Sequence, residues 1–324
     1  IAPGDIINVQ DSDRYPGNFK YSGRIRGMGN SLTEAFDIST ASYSQRFSVG
    51  AQEGTPTGVA FNNDGTKMFV TGSGSDAVHE YTLSTGFDIS TASYSQSFSV
   101  FAQEINPQSV TFSPSGIKMF VIGSNSDAVH EYTLSTGFDI STASYSQSFS
   151  VASEEVVPLG VAFNFSGTKM FIVGANGDEV NEYTLSTGFD ISTASYSQNF
   201  SVSAQDINPH GITFSTNGTK MFIMGNDTDV VYEYTLSTGF DISTASYSQS
   251  FSVSAQDSGN LDIAFNANGT KMYVVGNAGN EINEYTIGTS YPTTTYVPLD
   301  REISLRAGSD YELSVLFTGA VATL

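Results

Sequence analysis

The chain has no cysteine, no tryptophan and only 3 histidines among its 324 residues. Lacking cysteine, it has no disulfides, no thiol nucleophile and no zinc–thiolate centre. Positive charge is equally scarce: 12 Lys and Arg stand against 33 Asp and Glu, a formal net charge of −21. A phosphate-binding face needs clustered cations, which so few scattered ones do not build, so nucleic acid is excluded as a partner. No apolar run approaches the roughly 20 residues of a membrane-spanning helix, no signal-peptide pattern is visible, and helical periodicity is absent. The chain begins with Ile1 and ends in the apolar run Ala320–Leu324, so it is expected to be a piece of something longer.

What the sequence does have is repetition. The string FDISTASYSQ begins at Phe36, Phe87, Phe138, Phe189 and Phe240, a period of 51 residues. In the same phase recur Lys67, Lys118, Lys169, Lys220 and Lys271 within G-x-K-M, and an E-Y-T motif at Glu80, Glu131, Glu182, Glu233 and Glu284. One period reads as four strands: Gly58–Phe61, Lys67–Thr71, Ala77–Leu83 and 93–100. A glycine-bearing turn, Asn62-Asn63-Asp64-Gly65-Thr66, joins the first two. Such a unit repeated in series describes a β-propeller blade. There are five inner triplets and five outer strands, and the first outer strand precedes any triplet. Pairing it with the last triplet closes a ring and removes free edges. The expected fold is therefore all-β, a five-bladed propeller over 36–287 whose N-terminal strand completes the last blade. A competing strand, Tyr291–Val297, is weakened by Pro292. Closure brings residues near 35 and 290 together, the geometry of a domain inserted into another, here a small β-domain made of 1–35 and 288–324.

The strand-turn-strand GVAFNNDGTKMFV resembles WD40-like and lactonase-like propeller repeats, which implies architecture alone. The flanks carry a different likeness. Pro3-Gly4-Asp5-Ile6-Ile7 with Asn8-Val9-Gln10-Asp11 and Gly23-Arg24-Ile25 precede the ring. Leu299-Asp300-Arg301-Glu302-Ile303-Ser304-Leu305 and Tyr311-Glu312-Leu313-Ser314-Val315 follow it. In order and spacing these resemble the host-specificity, tip-attachment proteins of long-tailed bacteriophages of the lambda type. That family joins the two halves by a short connection, where here a propeller intervenes. The resemblance implies a virion protein at the tail tip, homotrimeric and contacting other tip subunits. A five-bladed ring cannot lie on a three-fold axis, so three rings would splay around the tip, an arrangement suited to multivalent contact with a cell surface.

The five copies differ most in the loops before the first strand and between the second and third, which open on one face. A changing rim on a fixed frame is the pattern of a recognition surface, although unconstrained loops drift in the same way. Candidate ligand-binding residues there are Thr57, Gln108, Leu159, His210 and Leu261, with Asn106 and Asn208, and the loop acids Asp76, Asp127, Asp178 and Asp229. Glu53, Glu104, Glu155, Asp206 and Asp257 occupy equivalent positions. They read either as a ring for a cation or sugar hydroxyls at the axial mouth, or as backbone-capping acids multiplied by duplication, the simpler reading. Asn226–Asp229 has the oxygen density of a calcium loop without the EF-hand pattern, so calcium is the one cofactor the pattern admits and no metal is assigned. Phe61 and its four copies read as core, the Glu80 set as local structure, and the repeated lysines as solubility charges.

No enzyme is expected. A glycosidase needs two carboxylates in distinct environments, whereas nearly every acid here recurs in other blades. His79 and His130 are equivalent to Asn181, Tyr232 and Asn283, and the singular His210 has no serine nucleophile motif. The leading expectation is a tail-tip component whose propeller binds a host glycan or outer-membrane protein. The alternatives are a structural decoration without ligand and, third, a polysaccharide-degrading propeller.

Overall fold

A computed structural model of the chain describes residues 36–288 throughout and, outside them, four short strands: Ile6–Val9, Asn18–Tyr21, Ile303–Arg306 and Tyr311–Ser314. The chain divides into two compact units, Ala35–Gly288 and a second made of Ile1–Glu34 with Thr289–Leu324. In the second unit Ile6–Val9 pairs antiparallel with Tyr311–Ser314, and Asn18–Tyr21 with Ile303–Arg306, so the two flanks pair with each other. The competing strand at Tyr291–Val297 and the segment Gly23-Arg24-Ile25 lie outside the described residues.

Residues 36–288 form five antiparallel four-stranded sheets. From the centre outward, the first blade runs Pro56–Phe61, Lys67–Gly72, Ala77–Leu83 and Ala92–Ser99. Three more blades repeat this order. The fifth takes Asn260–Phe265, Lys271–Gly276 and Glu281–Ile287 from the end of the repeat, and its outermost strand, Ala41–Ser48, from the start. The fold is the five-bladed propeller, closed by its N-terminal strand. The seam brings entry and exit together, since the Gly288 amide donates to the Thr40 carbonyl at 3.3 Å.

Local chemistry explains the repeat unit. In the first turn Gly65 sits at φ +69°, and its counterparts in the other blades lie between +65° and +71°, where a Cβ is disfavoured. Side chains complete the turn: Asp64 Oδ1 accepts from the Thr66 amide at 3.0 Å and Asn62 Oδ1 from the Lys67 amide at 2.9 Å. Phe87 lies directly on Gly65, and a Cβ there would meet its ring at 2.3 Å. Phe87 itself has φ +60°, as its four equivalents do within a few degrees to +68°. Asp88 then caps the short 3-10 turn Ile89–Thr91 by accepting from the Ser90 amide.

The core is five separate apolar clusters, each between neighbouring blades. Phe69 and Val78 of the first blade pack with Val110, Met119, Val121 and Tyr132 of the second. At the seam Val59, Met68 and Tyr81 of the first blade pack with Tyr273, Val275 and Ile282 of the fifth. Each fully buried aromatic contributes on the order of 1.5–3 kcal/mol, so the stabilisation is distributed around the ring.

Polar latches run along the same interfaces and correct the expectation for the lysines. Lys67 Nζ lies 2.8 Å from Glu80 Oε1 in its own blade and donates to the Phe138 carbonyl of the next at 2.7 Å. Gln96 reaches both Glu80 Oε2 at 2.8 Å and Asp139 Oδ1 of the next blade at 3.0 Å. All five blades repeat the pattern, and at the seam Lys271 donates to the Phe87 carbonyl at 2.7 Å while Gln45 donates to Asp88 at 2.9 Å. Glu80 is buried beneath the lysine, as its local role required. The lysines are interface fasteners, because a buried carboxylate needs a paired cation.

Candidate functional site

The rim face holds the expected binding residues, and the structure sorts them. Thr57, Gln108 and Leu159 are buried below the rim, while His210 and Leu261 are half-buried. The reason is register: the first strand begins at Pro56 and its counterparts, so these are second residues of a strand wedged between blades. Thr57 Oγ1 donates to the Pro107 carbonyl of the next blade at 2.8 Å. Asn106 and Asn208 tie the two loops of their own blades together, the first through Ser124 at 2.7 Å, the second through Asn226 and Asp227, both at 3.1 Å. Asp76, Asp127, Asp178 and Asp229 close the second loop with φ between +50° and +54°. Their carbonyls accept from the valine that ends each blade. Asp229 Oδ1 also accepts from the Gly259 amide of the next blade at 2.9 Å. What the rim presents to solvent is different: Ile105, Val156, Val157 and Ile207, an aliphatic arc over the second, third and fourth blades.

The five equivalent carboxylates do not open into a mouth. All are buried, each within its own blade. Glu53 accepts from the Thr55, Gly74 and Ser75 amides at 2.8, 2.9 and 3.1 Å and from Ser75 Oγ at 2.5 Å. Each accepts from donors of its own loops, Asp257 through Oδ2 alone because its Oδ1 is buried without a partner, so they act as backbone caps, and the cation-ring reading is corrected accordingly. No group of three or more potential metal ligands occurs among the described residues. The blades differ in how well each cap is served. Burial pushes Glu53 up, but donation from His79, Ser75 and the Thr55 and Gly74 amides outweighs it and holds the carboxyl below its ordinary value. The third blade has Gly177 and Asn181 in place of Ser75 and His79, and there burial wins and raises Glu155. Both amide atoms of Asn181 are buried without a hydrogen-bond partner in the protein, as are those of Asn283 in the fifth blade.

Glu53, Ser75 and His79 have the composition of a hydrolase triad but not its wiring. Ser75 Oγ lies 2.5 Å from the carboxylate, to which it donates, and 2.8 Å from His79 Nε2, which must then be the donor. His79 Nδ1 is buried with no partner rather than held by the acid. The serine proton is thus directed away from the imidazole, the reverse of an activated nucleophile. His210 is pushed down to about 4 by burial, against a weaker pull from Asp227, so it is neutral near pH 7.

The cavity of the ring lies at the other end of the axis. It has a volume of about 390 Å³ and is walled by the second halves of the innermost strands and the turns that follow them. The rim loops precede those strands, so the cavity opens on the opposite face. Phe61, Phe112, Phe163, Phe214 and Phe265 form its collar. They are half-buried rather than core, wedged between blades as Phe61 is against Tyr273 with ring centroids 4.4 Å apart. Deeper in, the innermost strands converge at Gly58, Ser109, Gly160, Gly211 and Asp262. A Cβ on Gly58 would lie 2.8 Å from Ser109 Cα, and one on Gly211 would lie 2.6 Å from Asp262 Oδ1. Asp262 is 4% exposed. Its Oδ2 accepts from the Val59 amide at 3.1 Å and Ser109 Oγ at 3.3 Å, and its Oδ1 from the Ile263 amide at 2.9 Å. Burial pushes this carboxyl up to about 7 in spite of these donors. Sequence reasoning missed it among acids that nearly all recur; the signal was an acid at a position that is Gly or Ser in the other four copies.

No protein-family model and no curated protein matches the chain. Solved structures match the chain at low identity. A candidate 6-phosphogluconolactonase of Bacteroides uniformis is 12% identical, over 79% of this chain and 73% of that one, with a TM-score of 0.46. A functionally unknown protein of Desulfotomaculum acetoxidans is 15% identical, over 72% and 68%, at 0.45. The β-propeller domain of Cps50 (Swd1) from Myceliophteria thermophila is 9% identical, over 76% and 100%, at 0.46. At this distance no activity follows for this chain. Among the described residues no helix is long and apolar enough to cross a membrane.

Proposed function

We propose that the chain is part of a bacteriophage tail tip and that its inserted propeller is a non-catalytic module contacting the host cell surface through the rim face. The phage assignment rests on the order and spacing of the flanking motifs. The rim assignment rests on one observation: the latch residues are repeated in every blade, whereas the exposed rim residues change and leave the aliphatic arc Ile105, Val156, Val157 and Ile207 in solvent. Exposed aliphatic side chains on a ring of net charge −19 favour a protein receptor over a glycan, since the gain comes from removing apolar area from water. Trimeric display would multiply weak individual contacts.

The test is adsorption of the labelled full chain to host cells. The triple variant Ile105→Ser, Val156→Ser, Ile207→Ser copies the serine that Ser258 supplies in the fifth blade, and it is expected to lower cell binding at least tenfold with an unchanged thermal transition. Unaltered binding would refute the rim assignment. A phage lacking 36–287 that adsorbs normally would make the ring a structural decoration, and release of reducing ends from host polysaccharide would make it an enzyme.

A further inference from the structure

The channel cavity breaks the five-fold repetition in a way the latches do not explain. Its walls combine apolar side chains with the uncharged polar side chains of threonine, serine and asparagine, and the only ionisable group among its lining residues is Asp262. No Lys, Arg or His lines it, so it offers an anion no opposite charge. At mid-depth the fixed alanines Ala60, Ala162 and Ala264 alternate with Thr111 and Thr213, two residues on different blades. Neither hydroxyl has a hydrogen-bond partner among the described residues. The collar presents half-buried phenylalanine rings, whose π-faces and apolar edges suit an organic body and a cation alike. The volume of about 390 Å³ is that of a small-molecule site.

From these features we infer that the channel mouth opposite the rim is a binding site for a small organic cation, an amine on an apolar body. Its ammonium group descends to Asp262, its hydrogen-bonding hydrogens reach Thr111 and Thr213, and its apolar body stays within the phenylalanine collar. Each carboxylate oxygen of Asp262 retains acceptor capacity beyond the donors it already has. The ring contributes a net charge of −19, from 25 acidic and 6 basic residues in 36–287, so its field favours entry of a cation over an anion. Had Asp262 served only to staple blades, a serine as at Ser109 or a glycine as at Gly58, Gly160 and Gly211 would have sufficed, since the other four blades hold the ring without it.

Calorimetric titration of the full chain with 4-phenylbutylamine at pH 8 tests this, with 4-phenylbutanol and 4-phenylbutanoate as isosteric controls. The amine is expected to bind at least tenfold more tightly than the alcohol, and the carboxylate not at all. Asp262→Asn is expected to erase the difference between amine and alcohol. Because that variant removes an interblade contact, Ala162→Phe provides an independent arm: it fills the cavity, leaves the acid in place, and is expected to abolish binding of both. Equal binding of amine and alcohol to the native chain, no binding of the amine at millimolar concentration, or full amine binding by Ala162→Phe would each overturn the proposal.

Discussion

At the scale of single residues, the same side chain does different work according to what faces it. Asp262 and Glu53 are both buried acids, yet one is raised to about 7 and the other lowered. Glu53 has four donors from its own loops, whereas Asp262 has three at the buried inner end of the channel cavity, so desolvation decides. Stability should record this. Between the ordinary carboxyl value of 3.8 and about 7, the native chain holds a proton on Asp262 that the unfolded chain has released, so this group makes stability fall as pH rises through that window. The slope is at most about 1.4 kcal/mol per pH unit. Denaturant melts of Asp262→Asn at pH 4.5 and pH 7 should show that fall removed, even though the variant is less stable at the lower pH through loss of an acceptor. Gly116 offers a second residue-scale outcome. It combines φ +70° with a Cβ position 2.2 Å from the Phe138 ring, so Gly116→Ala should cost about 2–4 kcal/mol by strain and displaced packing. Gly54, with nothing within 4 Å, should accept alanine within about 0.5 kcal/mol.

The element that makes the ring is the latch between one blade and the turn of the next. Lys118 Nζ is 2.7 Å from Glu131 Oε1 and 2.7 Å from the Phe189 carbonyl. Lys118→Met leaves Glu131 buried without its cation, and chemical unfolding should register a loss of about 3 kcal/mol, the lower end for such breaks because the lysine is partly solvated. Lys118→Met with Glu131→Leu should recover part of that loss, since the second change removes the uncompensated charge; a double variant weaker than the single would show that Glu131 stabilises through Gln147 and the Ile191 amide even without the lysine. The strands themselves were legible in the alternation of Ala77–Leu83 and the glycine turns. The latch was not, because a lysine beside a turn reads as exposed until the neighbouring blade is placed over it. The left-handed phenylalanines were equally hidden, since only packing against Gly65 and its equivalents holds a bulky residue at positive φ.

For the molecule as a whole, closure is the decisive event. The seam has the same latch and the same kind of apolar cluster as the other four interfaces, although the residues of its latch, Lys271 and Phe87, are 184 apart in sequence. A circular permutant should therefore fold: Ile287 joined to Phe36 by Ser-Thr-Gly, with new termini at Ala51 and Gly50, restores the connection that the first blade uses between Leu83 and Phe87. Its thermal midpoint is expected within about 5 °C of the same ring in native order. Failure to fold would contradict closure of the ring by Ala41–Ser48 on Glu281–Ile287. Removal of 36–50 instead should leave the fifth blade without its outer strand and broaden or abolish the cooperative transition.

The sequence by itself determined the blade, the number of blades and the strand that closes the ring, because a 51-residue period with period-2 alternation and glycine turns admits little else. It also marked one face as variable. Only the tertiary structure decided which residues that face exposes, since a shift of two residues in where the first strand begins moves Thr57, Gln108 and Leu159 from the rim into the blade interface. It alone decided that the repeated acids cap loops, for their partners lie about twenty residues away across a turn. And it alone singled out Asp262, whose environment is made by residues of three other blades meeting near the axis, a relation that no local pattern in the chain encodes.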